Sequence, residues 1–549
     1  MNRLKYLRLI KGLAIILIAF LFTRCMHDEF QLDKLNTDVE VEFGFFAPVA
    51  YGTLTISDLV QDIDSAVTIN TYEDGLLYLS FSDSLFAYSS EAILEVPDQD
   101  FFEYFIESEF FFPPLWDTVS IEKSENFPFS FSRNEKIDSI KLDAGDMIFN
   151  INSEFRHTGK IIISCPTIRK DGHFFSDTII VDDPSGTFTT NNTFPLDGYT
   201  IILNDSVGSD SSFLPVDFLV ELYREGLNTI NPGDQIEIVA TIANLDFDAV
   251  FGYIGDYEIM GDASSIELDL FDSEMFDGTI RFADPQINFN IRNSFGVPVE
   301  ANIERFVSYN SDGDSLQLIM DATVNPYQFE FPTLAEYGET KSFTWALNAS
   351  NTNLPDFMAF LPSSIEYKIA AASNPDGPGA AYNFVSDDSK LDIDIEFILP
   401  IWFRADFALM DTIELDLADI GKDADMIKQG NILLTANNGT PIDLELQVYF
   451  VDSLYAPVDT LFGAGQQPLI AAGILDINNI VQYPGTKTSL VQYTSEEIKN
   501  LETVRYAIIK AGLKTPQYDS DVNVKFFDYY TFDFKISVDV DFKINSKDL

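Results

Sequence analysis

The feature that most constrains the fold is a strict alternation near the C-terminus. From Tyr530 to Ile544, apolar residues occupy every second position, and Asp, Lys, Ser and Thr occupy the positions between them. A period of two is the side-chain repeat of a β-strand with one buried and one solvated face. The same alternation recurs along the chain. It predicts an all-β fold of tandem antiparallel β-sandwich modules with a few short helices.

The C-terminal alternation spans more residues than one strand usually does, so we expect this strand to bend or to serve two sheets. Helix signals are few. Thr494-Ser495-Glu496-Glu497 has the pattern of a capping box, which predicts a short helix through about Tyr506. Residues 99–107 and 216–224 are weaker helix candidates.

One sequence pattern is repeated along the chain. Residues 287–299 and residues 432–442 each read as a strand, an Asn/Gly turn, a proline and a second strand, and residues 145–164 form a looser third copy. The two proline-bearing copies are separated by about 145 residues, a spacing that fits sandwich modules in tandem. Asn and Gly favour hairpin turns, so we expect hairpins here and assign them no function. The pattern resembles strand–turn–strand units of LEA-like β-sandwiches.

The composition excludes several classes of function. The chain has 88 acidic and 33 basic residues, a formal net charge of −55. Such a polyanion does not suit nucleic acid, which proteins bind through Lys and Arg, and anionic lipid headgroups would repel it. Asp outnumbers Glu by 57 to 31, which favours turns and loops over helices. With 49 Phe and 23 Tyr the chain can form several cores, so we do not expect disorder.

The N-terminus has the pattern of an export signal. A basic stretch precedes an apolar run over residues 12–22, which is too short to span a bilayer and matches a secretory signal. The run leads into Thr23-Arg24-Cys25, followed by Asp28 and Glu29. This resembles the signal of Bacteroidota-type surface-exposed outer-membrane lipoproteins, in which the cysteine is acylated, for example with palmitate, and begins the mature chain.

Arg24 departs from the small residue usual before a lipidated cysteine, which leaves an uncleaved N-terminal anchor as the alternative. Without residues 1–24 the charge becomes 28 − 88 = −60. We expect a signal peptide at 1–24, an acidic tether at 25–40, and three β-sandwich regions at 41–265, 266–400 and 401–549. The regions should follow one another as an elongated particle. The expected location is the outer membrane, at the cell surface and held by lipid.

Few residues suit catalysis. The histidines are His27, His157 and His173, and we find no zinc, nucleophile-elbow or phosphate-loop motif. We therefore expect no enzyme activity that depends on histidine or a metal, and no catalytic residue is assigned. Pairs of carboxylates are inevitable among so many acids, so no single pair is informative. Cys165 lies in an apolar run and is interpreted as a buried hydrophobic residue.

Asn310, Asp312 and Asp314 have the oxygen spacing of the start of a calcium loop, with Asp321 near the position of the closing ligand. A plain turn is the alternative, and calcium is the only cofactor considered. Among the tryptophans, Trp345 has no assigned role, Trp402 is expected in a core, and Trp116 is the candidate for an exposed sugar platform.

The tripeptide Asp-Ser/Thr-apolar is over-represented. Composition alone gives about four copies. Turns that lead into strands would explain the excess, because Asp forms Asx turns. The tripeptide also resembles the O-glycosylation sequon of Bacteroidota-type envelope proteins, which implies glycan on some of these residues in exposed turns. The ten sites are Ser65, Ser84, Thr118, Ser139, Thr178, Ser206, Ser315, Thr412, Ser453 and Thr460.

These observations predict a non-enzymatic surface lipoprotein with a structural, adhesive or accessory role in an outer-membrane assembly. Its partners would be the membrane, through the lipid, and an outer-membrane protein or a glycan. One alternative is a glycan-binding lipoprotein that assists polysaccharide uptake. A second alternative is an envelope hydrolase.

Overall fold

The computed structural model describes residues 40–55, 67–106, 116–132, 134–203, 213–230, 233–260, 262–268, 276–414, 426–463 and 468–545. Strand accounts for 63% and helix for 6%, which confirms the all-β prediction. Every strand pairing in the described residues is antiparallel. No helix in these residues is long and apolar enough to cross a membrane.

The strands are, in chain order, β1 (Glu40–Thr55), β2 (Thr68–Thr71), β3 (Leu77–Ser89), β4 (Gln99–Ile106), β5 (Thr118–Pro128), β6 (Lys136–Ser153), β7 (Thr158–Lys170), β8 (His173–Val181), β9 (Phe188–Pro195), β10 (Thr200–Ile202), β11 (Phe213–Tyr223), β12 (Gln235–Tyr253), β13 (Glu258–Met260), β14 (Ser264–Glu267), β15 (Phe276–Phe282), β16 (Gln286–Asn293) and β17 (Val299–Tyr309). They continue with β18 (Ser315–Gln317), β19 (Tyr327–Gln328), β20 (Lys341–Asn348), β21 (Ser364–Ser373), β22 (Asn383–Ser386), β23 (Lys390–Pro400), β24 (Trp402–Glu414), β25 (Ile427–Asn438), β26 (Asp443–Val451), β27 (Pro457–Thr460), β28 (Leu469–Ile470), β29 (Ile474–Leu475), β30 (Val481–Tyr483), β31 (Gly485–Thr494), β32 (Tyr506–Lys514), β33 (Val524–Lys525) and β34 (Thr531–Asn545).

The helices are short. They are α1 (Ser90–Ile93), α2 (Leu354–Ala359) and α3 (Ser495–Asn500), together with 3-10 turns at Leu334–Glu336, Leu501–Thr503 and Tyr518–Ser520. The predicted capping box is confirmed: Thr494 Oγ1 accepts a hydrogen bond from Glu497 N, and the Glu497 carboxylate accepts one from Thr494 N. Helix α3 ends earlier than predicted, because Tyr506 already begins β32.

Two weaker helix predictions are wrong. Residues 99–106 form β4, residues 216–223 belong to β11, and residue 107 lies outside the described residues. In β11, alternate side chains from Leu214 to Leu222 are buried, while Leu219 lies on the opposite face. That outward apolar residue, like the exposed Phe102 in β4, obscures the period of two.

The strands form three sandwiches. The first sandwich is one long folded sheet, in which the half containing β4, β12, β6 and β9 faces the half containing β8, β7, β11 and β5. At one side of this sandwich the rings of Phe101 in β4 and Phe127 in β5 pack together, 5.0 Å apart. At the other side the rings of Phe175 in β8 and Phe194 in β9 pack together, 6.0 Å apart. Strand β10 pairs with both β6 and β7 and joins the halves.

The middle sandwich packs the sheet β2-β3-β23-β16-β20 on the sheet formed by β13, β14, β17, β18, β19 and β21. Trp345 of the first sheet stacks on Tyr327 of the second with ring centroids 5.1 Å apart, and its indole N–H donates to Val324 O. Phe86 meets Tyr367 across the same interface. Aromatic side chains thus fill the space between these two sheets.

The third sandwich packs the sheet β1-β34-β25-β31 on the sheet containing β15, β24, β32, β26 and β27. The long C-terminal strand β34 is central in the first of these sheets, with β1 on one side and β25 on the other. Ile536, Val538 and Val540 are buried as the alternation predicts. The strand stays in one sheet, so the alternative that it serves two sheets is wrong.

Strand pairing crosses the limits predicted for the three regions. Strand β1, assigned by prediction to the N-terminal region, pairs along its length with β34 at the C-terminus. Strands β2 and β3 join the middle sandwich, and β22 pairs with β12 of the first. The chain therefore passes between sandwiches several times, and the limits near residues 265 and 400 stay a prediction.

The repeated pattern forms arches and not hairpins. Strand β16 pairs with β20 and β23, whereas β17 pairs with β21 in the opposite sheet. In the same way β25 and β26 lie in opposite sheets of the third sandwich. The prediction of hairpins is wrong because the turn residues also suit a crossing from one sheet to the other.

A buried polar side chain closes each arch. Asn293 accepts a hydrogen bond from Phe295 N at 3.0 Å, Asn438 accepts one from Thr440 N at 2.9 Å, and Ser153 in the third copy accepts one from Phe155 N at 3.3 Å. The glycine of the motif is required by close approach: a Cβ on Gly296 would meet the Phe384 ring, and one on Gly439 would meet Thr531 O.

Candidate functional sites

Several predicted site residues lie outside the described residues. These are the lipidation candidate Cys25, the histidine His27 and the tripeptide sites Ser65 and Ser206. The first described residue, Glu40, begins β1 and pairs with Asn545 at the end of β34.

The two described histidines lie apart. His157 is buried in the arch between β6 and β7, where its Nδ1 is 3.2 Å from Tyr223 O, and burial lowers its pKa. His173 is exposed at the start of β8, beyond the other end of β7. The structure therefore does not bring these two side chains into one site. The sequence did not predict the burial of His157.

Cys165 is buried in β7, as predicted. Burial, with a smaller contribution from Asp217, raises the pKa of its thiol to about 12. A thiol with so high a pKa is neither a nucleophile nor a metal ligand at neutral pH.

The calcium candidates lie on the hairpin between β17 and β18. Asn310 Oδ1 accepts a hydrogen bond from Asp314 N at 2.9 Å, and Gly313 N donates to Asn310 O, so the loop is closed by its own bonds. Asp312, Asp314 and Asp321 are exposed. Among the described residues, no three His, Cys, Asp or Glu side chains are grouped as a metal site. The geometry gives the calcium prediction no support.

Eight of the tripeptide sites are described. Ser84, Thr118, Thr178, Ser315, Thr412 and Ser453 are exposed, and Ser139 and Thr460 are half-buried. Ser453 lies in a turn, and Thr118 and Ser315 begin strands, as expected of turns that lead into strands. Ser84, Ser139, Thr178 and Thr412 lie inside strands and Thr460 ends one, which the sequence did not predict.

A local hydrogen bond recurs at three of these tripeptides. The Asp carboxylate accepts from the N–H of the next residue at Ser84, Thr178 and Thr460, with distances of 2.7 to 2.8 Å. At each position the described residues include a paired strand on one side only. Asp here satisfies backbone donors along strand edges, which is a structural reason for the pattern.

The three tryptophans differ in environment. Trp116, just before β5, is 57% exposed, as predicted for a platform candidate. Trp345 is buried in the middle sandwich. Trp402 is half-buried, with Lys525 Nζ 4.8 Å from the centre of its ring, so it is less enclosed than predicted.

Trp116 belongs to a cluster at one end of the first sandwich, which we call the tip. Arg224 Nε donates to Trp116 O at 2.8 Å, and Arg224 N donates to Asp117 O. The same loop carries Leu227, which is 99% exposed, and follows Tyr223 at the end of β11. The tip thus presents a tryptophan, a tyrosine and a leucine to solvent on a hydrogen-bonded loop.

Three ionisable groups influence one another in the third sandwich: Tyr493, Asp459 and Glu497. Tyr493 is buried, and no hydrogen-bond partner of its hydroxyl is present among the described residues. Burial, followed by the charges of Asp459 and Glu497, raises its pKa. Burial also raises the pKa of Asp459. Of these three groups only Tyr493 is fully buried, whereas Asp459 is half-buried and Glu497 is exposed.

An apolar turn that the sequence analysis did not single out lies between β26 and β27. Leu454 is 84% exposed and Tyr455 is 57% exposed. The signal was present in the sequence, because Asp452-Ser453 predicts a turn and the two residues that follow are apolar.

Comparisons with known proteins give no family. No protein-family model and no curated protein matches the chain. Among solved structures, a predicted secreted protein from Parabacteroides distasonis aligns over 91% of this chain and 99% of its own, with 11% identity and a TM-score of 0.28. Infectious bursal disease virus Gt strain aligns over 82% and 83%, with 7% identity and a TM-score of 0.13. At these scores neither similarity carries an argument about function.

Proposed function

We propose that this chain is a non-enzymatic envelope lipoprotein that is anchored through Cys25 and holds its first sandwich away from the membrane, in a structural, adhesive or accessory role at an outer-membrane assembly. The observation that carries the proposal is the path of the chain. Glu40 and the tip belong to opposite ends of the series of three sandwiches.

The path follows from strand direction. In the third sandwich, β24 starts at Trp402, directly after β23 of the middle sandwich ends at Pro400, so this end faces the middle sandwich. The far end of the same sandwich contains Glu414, which pairs with Tyr506. In the facing sheet the far end contains the pair Glu40 and Asn545. The tether therefore enters at the end remote from the middle sandwich, which we call the anchor pole.

The first sandwich is oriented by the same reasoning. Strand β12 ends at Tyr253, next to β13 of the middle sandwich, and begins at Gln235, which pairs with Ile106. Ser153 pairs with Ile236 at this beginning, and the arch after Ser153 leads to Thr158, opposite Tyr223. The tip, which follows Tyr223, thus lies at the end remote from the middle sandwich.

A membrane-attached protein with this path would display its tip. Fourteen residues separate Cys25 from Glu40, a span of about 50 Å when fully extended. The tether therefore limits the distance between the anchor pole and the bilayer to about this length, and the tip lies beyond the middle and first sandwiches. The polar outer faces of the sandwiches and the strongly negative charge of the chain suit a molecule that is exposed to solvent.

Changing the lipidated cysteine tests the anchor. In the native host, Cys25→Ser should block processing and release the protein from the outer-membrane fraction. The control is Cys165→Ser, which changes the other cysteine and should leave the acylation and the membrane fractionation unchanged. Unaltered membrane fractionation and mature mass in Cys25→Ser would refute the anchoring.

Glycan binding is the second candidate function, favoured by the exposed Trp116 at the tip. Sugar rings pack on aromatic faces, and Tyr223 and Leu227 extend the same surface. Trp116→Ala should weaken binding to a polysaccharide retained by the wild-type protein by about tenfold or more. Tyr529→Ala, which removes an exposed aromatic ring elsewhere, is the control. Equal retention of wild type and Trp116→Ala would remove this candidate.

A further inference from the structure

The turn at Leu454 and Tyr455 lies at the anchor pole. It connects β26 and β27, and its neighbour Val451 pairs with Tyr506, which pairs in turn with Glu414. The Tyr455 ring stacks on the Tyr506 ring with centroids 4.9 Å apart and an angle of 3° between the planes. The two exposed apolar residues of this turn are therefore held at the same end of the third sandwich as Glu40, where the tether enters.

Hydrogen bonds hold this turn in one shape. Asp452 Oδ1 accepts from Leu454 N at 2.8 Å and from Ala456 N at 2.9 Å. Asp452 N donates to Ala456 O, and Tyr455 N donates to Asp452 O. Tyr455 has a positive φ of 60°, and the Leu454 side chain before it is exposed. A leucine that a rigid turn exposes to water has an unfavourable hydration free energy. That cost is removed if the side chain enters an apolar phase.

We propose that the turn formed by Leu454 and Tyr455 rests on the lipid surface, with leucine reaching the acyl boundary and tyrosine at headgroup level. This inference depends on the proposed acylation of Cys25, which brings the anchor pole to the bilayer. Leucine and tyrosine are residue types that insert at this depth, and tyrosine favours the interface because its ring is apolar and its hydroxyl polar.

The charge at this pole selects the kind of lipid. Glu496, Glu497 and Glu502 are exposed on α3 and the turn after it. Anionic headgroups would be repelled by these carboxylates, so the surface should be zwitterionic. A second consequence concerns Ser453, the tripeptide site in the same turn. A glycan there would keep the turn off the bilayer, so docking requires that Ser453 is unmodified.

The test uses the full-length acylated protein on phosphatidylcholine vesicles. Leu454→Cys and Leu227→Cys are each labelled with an environment-sensitive fluorophore. Leu227 is the matched control, because it is also a highly exposed leucine but lies at the tip. Cys25 is blocked by its acyl group, and the buried Cys165 does not react, so each variant carries one label. The vesicles contain a nitroxide quencher attached to the lipid near the headgroup.

Docking predicts that the vesicles reduce the fluorescence at position 454 by about half or more and leave position 227 unchanged. Replacing about a third of the lipid by anionic phosphatidylglycerol should reduce the quenching at position 454, because the carboxylates of this pole repel it. Sedimentation with the vesicles but no quenching at position 454 would overturn the docking and leave the anchor intact. Absence of sedimentation would overturn the anchor and the docking together. Equal quenching at both positions would also overturn the docking, because it would mean that the molecule lies flat.

Discussion

Asn438 shows how one side chain holds an arch between two sheets. It is buried, its Oδ1 accepts from Thr440 N and Oγ1, and its Nδ2 donates to Ile442 O and Ala471 O. An arch leaves backbone groups that no strand partner can satisfy, and a buried asparagine supplies both donors and acceptors for them. The Asn/Gly motif was visible in the sequence. That the two strands enter opposite sheets was not, because pairing partners lie far away in the chain.

Removing this side chain should therefore destabilise the third sandwich. Asn438→Ala leaves buried backbone groups without partners, which costs about 1–3 kcal/mol for each unsatisfied group. The neighbouring Asn437→Ala is the control, because Asn437 is half-buried and makes one long bond of 3.4 Å to Asp533. Urea unfolding measures both, and equal free energies of unfolding for the two variants would contradict this role.

The buried thiol of Cys165 leads to a prediction about pH. Its pKa is raised to about 12 by burial, whereas in the unfolded chain a cysteine has a pKa of about 8.5. Between these values the unfolded chain loses a proton that the folded chain keeps, so the free energy of unfolding should fall as the pH rises above about 8.5. Cys165→Ala should lessen the fall. Native-state alkylation checks burial directly: the thiol should react only after unfolding.

The exposed sites can distinguish the two explanations of the Asp-Ser/Thr-apolar tripeptide, a local hydrogen bond and glycosylation. Asp bonded to the next N–H explains the geometry at Ser84, Thr178 and Thr460 without any glycan. If the exposed sites are also glycosylated, protein from the native host should have an intact mass above that of the acylated chain. The mass should fall by the mass of a glycan with Thr178→Ala, and only by the mass of the substitution itself with the half-buried Ser139→Ala. A mass equal to the acylated chain would leave the hydrogen bond as the only explanation.

At the scale of elements, helix α3 closes the anchor pole between the two sheets of the third sandwich. It follows β31 in one sheet and leads to β32 in the other, and its Ile498 packs in a core cluster with Val504, Val538 and Val540. The capping box was predictable because its four residues are adjacent in sequence. The sequence did not predict that β4 and β11 are strands, because outward-facing apolar residues obscure their period of two. Only the fold decides which face of each strand is covered.

The cap can be tested by a single substitution. Thr494→Ala removes the side-chain acceptor for Glu497 N and should lower the free energy of unfolding by about 1 kcal/mol. Thr488→Ala, in the middle of β31 on an exposed position, is the matched control and should have less effect. Thermal or urea unfolding of the two variants would contradict the cap's contribution if Thr488→Ala were the more damaging change.

At the scale of the whole molecule, the chain begins and ends in the same sandwich. Strands β1 and β34 pair over their full lengths, although almost the entire described chain lies between them. Strands β2 and β3 then cross to the middle sandwich before the first sandwich is formed. Local patterns predict strands but not this route, because the partners of β1 are separated from it by about 500 residues and any alternating strand could have paired there.

This route predicts an elongated particle. If the sandwiches follow one another in the order of the strands, β34, β23 and β12 lie successively along the molecule, and at about 3.3 Å per residue they span more than about 100 Å. A compact globule of this size would have a radius of gyration of about 24 Å. Small-angle scattering of the protein should give a value above about 30 Å, since the strands add along one direction. A value near that of the globule would mean that the sandwiches fold back on one another, and Leu227 would then lie beside the anchor pole and lose its use as the remote control.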